Sequence, residues 1–175
     1  MPKIFSFDAE TNGLWGQAFA LSAAVYEEGQ MTHSFTAYLG AENVTDAWVQ
    51  ENVLPKLCDL AVTHLSYSEM LKSFSEFYLA HKGGADVIVH MGVPVESRVL
   101  SNMYTSGHIG EWDAPYPLID VAGVLKHAGE DPTSVDGYNE RNGLLADRSE
   151  VMGLATHHPL YDSIATAVAY MHLMR

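Results

Sequence analysis

The order in which strand-like and helix-like patterns follow one another constrains this chain more than any single residue does. Lys3 to Asp8 (KIFSFD) reads as a buried strand. Phe19 to Tyr26 and His33 to Leu39 read as two more, joined around EEGQ by a turn containing Gly29. Three such segments in succession make an antiparallel meander. The pattern then changes. Asp46 to Leu57 and Ser68 to His81 carry helical spacing, the second with Met70, Leu71, Phe74, Phe77 and Tyr78 on one side and Gly83-Gly84 after its end. Asp86 to His90 (DVIVH) is a β-branched run of strand type, Pro94 to Met103 a helix, and Tyr116 to Ile119 a strand. Asp120 to His127 is a helix with aspartate at its N-cap. Glu130 to Asp147 is polar and reads as loop with at most a short helix, and Pro159 to Met174 is the last helix. Strands alternating with helices imply parallel pairing. The expected architecture is α/β: a mixed five-stranded sheet, antiparallel meander first and parallel strands after it, flanked by helices.

With 175 residues and neither a repeat nor a linker-like tract, one domain over 1–175 is expected. Apolar residues at 47% against 18% charged supply a core and exclude a disordered chain. The single cysteine, Cys58, rules out an intrachain disulfide and a cysteine-rich zinc site, which fits a reducing compartment. No stretch of about eighteen apolar residues is present to span a membrane, and MPKIFSFDAE lacks the apolar run of a signal peptide, so a cytoplasmic location is expected. The formal charge of −13 argues against the lysine- and arginine-rich surface that binds long nucleic acid non-specifically. A phosphate ligand would need bound divalent cations to face it, and carboxylates to hold them.

Two segments supply such carboxylates. In FDAETNG, residues two apart on a strand project to one face, so Asp8 and Glu10 present their acids side by side at the strand's C-terminal end. Adjacent carboxylates repel unless a cation lies between them. A lone D-x-E is more often a pair of solvated charges; here Ile4, Phe5 and Phe7 mark the strand as central. In HHPLYD, Pro159 favours the first helical position, placing His158 at the N-cap, His157 just outside and Asp162 in the first turn. Leu160, Ile164, Val168 and Met171 fall on one face of that helix and would hold Asp162 against the sheet.

FDAETNGL resembles the first motif of the DEDD superfamily of 3′-to-5′ exonucleases, which includes DnaQ-type proofreading subunits, RNase T and oligoribonuclease: Asp8, Glu10, Thr11 and Gly13 match every fixed position. HHPLYD is similar to the last motif of the histidine subgroup (DEDDh), with His157 five residues before Asp162. The resemblance implies an RNase H-like fold, two divalent ions (Mg²⁺ or Mn²⁺), and removal of nucleoside 5′-monophosphates from the 3′ end of RNA or single-stranded DNA. It implies that Asp8, Glu10 and Asp162 bind metal, that His157 is the general base, and that Thr11, Gly13 and Leu14 cradle the terminal nucleotide. His158 has the spacing of the tyrosine in the sister subgroup and is the alternative base. Relatives that act as homodimers make self-association a further expectation.

The fourth metal ligand is carried by a weaker match. The family's second motif is a histidine-asparagine followed by phenylalanine-aspartate, where this chain has HMGVPVESRVL. Glu96 is the best counterpart, with glutamate for aspartate and an interval from His90 one residue longer; Asp86, at the wrong end of its strand, is the poorer one. A longer arm carries the same carboxylate. Asp120 is read as a helix cap, Arg141 and Arg148 as candidate phosphate contacts, and Trp15, Tyr67 and Tyr104 as aromatic residues able to stack on bases. The competing reading is a catalytically weak or inactive nucleic-acid-binding or regulatory domain on the same fold.

Overall fold

The computed structural model describes residues 2–175. Five strands form one sheet in the order β3-β2-β1-β4-β5. β1 (Lys3–Thr11), β2 (Ala18–Glu27) and β3 (Gln30–Tyr38) are the meander; β4 (Ala85–Val89) and β5 (Ile119–Asp120) continue it. β1 pairs antiparallel with β2 and parallel with β4, and β4 is parallel to β5. The strand bearing the first motif is therefore the middle of the sheet.

The period of two along β1 sorts its side chains between two cores. Phe5, Phe7 and Ala9 face one side, packing with Leu21, Ala23 and Val25 of β2 against Met70, Leu71, Phe74 and Tyr78 of α2 (Tyr67–His81) and Val99, Leu100 and Met103 of α3 (Val95–Thr105). Burial of each such large side chain contributes about 1.5–3 kcal/mol. Ile4 faces the other side, with Ala24 and Tyr26, under α4 (Val121–His127), α5 (Val135–Arg141) and α6 (Pro159–Leu173). Ser6, Asp8 and Glu10 continue that second face toward the strand's C-terminal end.

α6 is buried without a break from Ser163 to Met171. Its Ala165, Ala167 and Ala169 carry only a methyl each, which lets the backbone lie close on β1 and β2. A buried contact between Ser22 Oγ and Ser163 Oγ, 2.6 Å apart, joins β2 to the helix one residue from Asp162. Pro159 stands at the first position and His158 at the N-cap, as expected.

Three expected elements change length. The helix expected over 46–57 is α1 (Ala47–Asn52), capped by Asp46 accepting from Val49 N, followed by a 3-10 turn over Leu54–Lys56; Pro55 has no N–H to continue the α-helical ladder. The strand expected from Tyr116 shortens to Ile119–Asp120, since Pro117 cannot donate to a neighbour. Within the polar 130–147 stretch, Ser134 caps the seven-residue α5 by accepting from Gly137 N at 3.0 Å. Among the described residues no helix is long and apolar enough to cross a membrane.

Candidate active site

Asp8 and Glu10 come from the end of β1, and Asp162 from the first turn of α6 lying across it. Ligand atoms of Glu10, Asp162 and His157 lie within 4.8 Å of one another. His157 Nδ1 is 3.9 Å from Glu10 Oε1, and its backbone N donates to Asp162 Oδ2 at 2.9 Å. The backbone at His157 is left-handed, with φ of 69°, a conformation uncommon for a residue with a Cβ. His157 and Asp162 are thus fixed to each other through main chain. His158 has its ring half-buried, with Nδ1 lacking a partner, and lines neither of the two cavities that meet at His157.

Glu96 arrives from α3 on the other side of the sheet's end. It is only 4% exposed, and its Oε1 accepts from Ala9 N, between the two strand acids, at 3.1 Å. β4 pairs with β1 only as far as Ser6, so past that point Glu96 takes a backbone donor that a neighbouring strand would otherwise satisfy. The loop that delivers it is clamped by Asp120, which accepts from Met91 N and Gly92 N at 3.0 and 3.1 Å while capping α4 through Ala122 N. Asp120 is a structural cap, as its sequence position suggested. Asp86, the alternative to Glu96, instead accepts from Tyr170 OH at 3.0 Å.

Burial governs the electrostatics. Desolvation, followed by the charges of Asp162, Glu96 and Glu10, holds the Asp8 carboxyl well above the usual carboxylate range. Burial and Asp162 push Glu10 up to about 8; burial, Glu10 and Asp120 push Glu96 up to about 8 against the bond from Ala9. Burial and Asp136 push Asp162 up to about 7. Lys56 is the cation whose charge eases Glu10 and Asp162. Burial, helped by Lys56, lowers His157, while Asp136 opposes the shift; the net direction favours the neutral ring, the form that accepts a proton.

Two cavities open here. One, of about 320 Å³, is lined by Asp8, Glu10 and Asp162, but not Glu96, together with Thr133, Asp136 and Thr156. The other, about 380 Å³ and largely apolar, is walled by Thr11, Gly13, Leu14, Trp48, Val49 and Val95, with Glu10 and His157 shared. Thr11 Oγ1 donates to Gly13 O at 2.7 Å, and Gly13 has φ of 70° with the Asp46 carboxylate 3.2 Å from where a Cβ would stand. A side chain there would be strained and crowded at once. Leu14 is 66% exposed at the mouth.

Four neighbours of this site were not singled out in the sequence: Trp48, Lys56, Asp136 and Thr156. Trp48 is 59% exposed and stands edge-on to His157, ring centroids 6.3 Å apart. Its signal was available, since helical phase turns Val49 inward and leaves a tryptophan outside. Asp136 accepts from Thr156 Oγ1 at 3.1 Å and comes from the stretch read as loop. Arg141 and Arg148 are not at the site; each is paired with a carboxylate, Glu130 at 2.6 Å and Glu150 at 2.8 Å. Tyr67 accepts from Asn102 Nδ2 at 2.8 Å, and Tyr104 and Trp15 are exposed.

The sequence matches no protein-family model and no curated protein. Among solved structures the chain is similar to one described as Exonuclease X in complex with 5′ overhanging duplex DNA, with a TM-score of 0.59, 14% identity, and coverage of 99% of this chain and 91% of that one. At that identity the likeness is one of architecture, and it agrees with the strand order and flanking helices above: the chain has an RNase H-like fold.

Proposed function

We propose that this protein is a metal-dependent 3′-to-5′ exonuclease that releases nucleoside 5′-monophosphates from the 3′ end of RNA or single-stranded DNA. The observation that carries the reading is the meeting of Glu10, Asp162 and His157, whose ligand atoms lie within 4.8 Å of one another, with Asp8 lining the same cavity and Glu96 held on Ala9 N between the two strand acids. Four desolvated carboxylates with one lysine nearby are costly unless cations join them. All-oxygen donors suit Mg²⁺ or Mn²⁺. Asp8, Glu10, Glu96 and Asp162 would hold a pair of such ions, which when bound acidify water and neutralise charge on the phosphate.

The chain's own groups do the rest. His157 takes a proton from the attacking water as its oxygen bonds to phosphorus, and the bond from phosphorus to the 3′-oxygen of the next nucleotide breaks, its electron pair staying on that oxygen, which takes a proton from solvent to become the new 3′-hydroxyl. Main-chain bonding of His157 to Asp162 keeps the base in register with the acids. The apolar cavity of Thr11, Gly13, Leu14 and Trp48 takes the terminal nucleoside, burying its base while the acids face its phosphate.

The competing reading, a binding domain without catalysis, would draw on Glu96 having one oxygen engaged by Ala9 N. The decisive experiment incubates the protein with Mn²⁺ or Mg²⁺ and 5′-labelled RNA and DNA oligomers, beside the same oligomers blocked at the 3′ end. A ladder shortening from the 3′ end, absent on the blocked strand, is expected. Cleavage of the blocked strand would mean internal cutting, and no cleavage of either would favour the binding domain.

A further inference from the structure

Arg98 is anomalous in so acidic a chain. The other two internal arginines are spent on Glu130 and Glu150, whereas Arg98, two residues beyond Glu96 on α3, makes no ion pair among the described residues. Its guanidinium lies over the ring of Trp15, 5.6 Å from the centroid, and its charge is also felt at Tyr67. Trp15 is 70% exposed, so solvent reaches an indole whose other face the arginine covers. Nothing in the core needs that pair. Trp15 follows Leu14 directly, at the mouth of the apolar cavity, and Val95 of α3 lines the same mouth. A strand leaving the site past Leu14 therefore meets an aromatic plane and an unpaired cation next.

We infer that Trp15 and Arg98 form an external platform for nucleotides further toward the 5′ end than the one whose 3′-oxygen leaves, with a base stacked on the open indole face and the guanidinium on the following phosphate. The inference rests on the exonuclease reading for the direction of the strand. Stacking on an aromatic face accepts any base, and one arginine supplies one phosphate contact, so the platform sets preference for length and not for sequence. A dinucleotide is too short to use it.

The test compares Trp15→Ala, Arg98→Gln and Arg98→Lys with the wild type by circular dichroism, by anisotropy of a 5′-fluorescein dodecauridylate, and by hydrolysis of that strand and of a dinucleotide with Mn²⁺. Loss of the stack is expected to weaken dodecamer binding and raise its KM by about tenfold, with a several-fold smaller change on the dinucleotide. Arg98→Gln should also flatten the slope of log Kd against log salt by about 0.7, the value for one phosphate contact on a single strand. Trp15→Ala and Arg98→Lys should leave that slope alone. Equal losses on both lengths, or unchanged dodecamer binding in variants with native dichroism, would overturn the platform. Absence of hydrolysis by the wild type, on this strand and on its deoxy counterpart alike, would overturn the exonuclease reading instead, and the anisotropy differences would still decide the platform.

Discussion

His157 and Glu96 separate the roles of proton acceptor and ion holder. If His157 is the base, His157→Ala lowers kcat by about 10²- to 10⁴-fold while leaving Mn²⁺ affinity by calorimetry close to that of the wild type. Weakened Mn²⁺ binding would instead make it a ligand, which its 3.9 Å approach to Glu10 permits. Glu96→Gln keeps an oxygen for Ala9 N and removes only charge, so it should abolish most hydrolysis without lowering thermal stability. Retained activity would leave Glu96 as a strand clamp. At this scale the sequence was legible wherever the pattern is local: Asp8 and Glu10 share a face because strands alternate, and Asp162 sits near His157 because Pro159 starts a helix there. Trp48, Lys56 and Asp136 reach the same site from elements that only tertiary folding brings near, and no short spacing encodes that.

Among the polar links between elements, one is wholly buried and pairs two hydroxyls, which makes it testable. Ser22 and Ser163 are both fully buried and satisfy one another across β2 and α6. Ser163→Ala strands a hydroxyl in the core and should cost about 1–3 kcal/mol in urea unfolding, whereas the Ser22→Ala, Ser163→Ala double variant should recover much of it. Additive losses in that cycle would show that the two hydroxyls do not act as a pair. Element order and the change from antiparallel to parallel pairing were readable in advance because apolar periodicity switches cleanly from two to helical spacing. Boundaries were not where proline intervened: Pro55 divides one expected helix, and Pro117 shortens the last strand to two residues. The short α5 hid in a polar stretch because only Ser134 and three buried residues distinguish it from a loop.

Across the whole molecule, the raised carboxyls link stability to both acidity and cations. Glu10, Glu96 and Asp162 titrate near 7 to 8 when folded and near 4 in an unfolded chain. The folded form thus holds protons that the unfolded one has released. The stability they lend is full below about pH 4 and is lost as pH rises through 7 to 8. In EDTA, the melting temperature should therefore rise as pH falls from 8.5 to 5.5. Mn²⁺ should raise it more at pH 8.5 than at 5.5, by the equivalent of about 2.7 kcal/mol at a hundredfold excess over Kd. A melting temperature indifferent to pH and to Mn²⁺ alike would mean the acids are not one linked site. The formal charge of −13 pointed to this cation dependence but not to where the charge is concentrated, since composition carries no position.

The hydrogen bond from Ala9 N to Glu96 places one proton between two acids of the sheet and a third from a helix. That nucleus needs no label beyond ¹⁵N. Its chemical shift should follow the protonation of Glu96 and the arrival of a diamagnetic ion, and its line should broaden first when manganese is added, so a single peak can watch the centre fill while the rest of the spectrum reports that the protein has stayed folded.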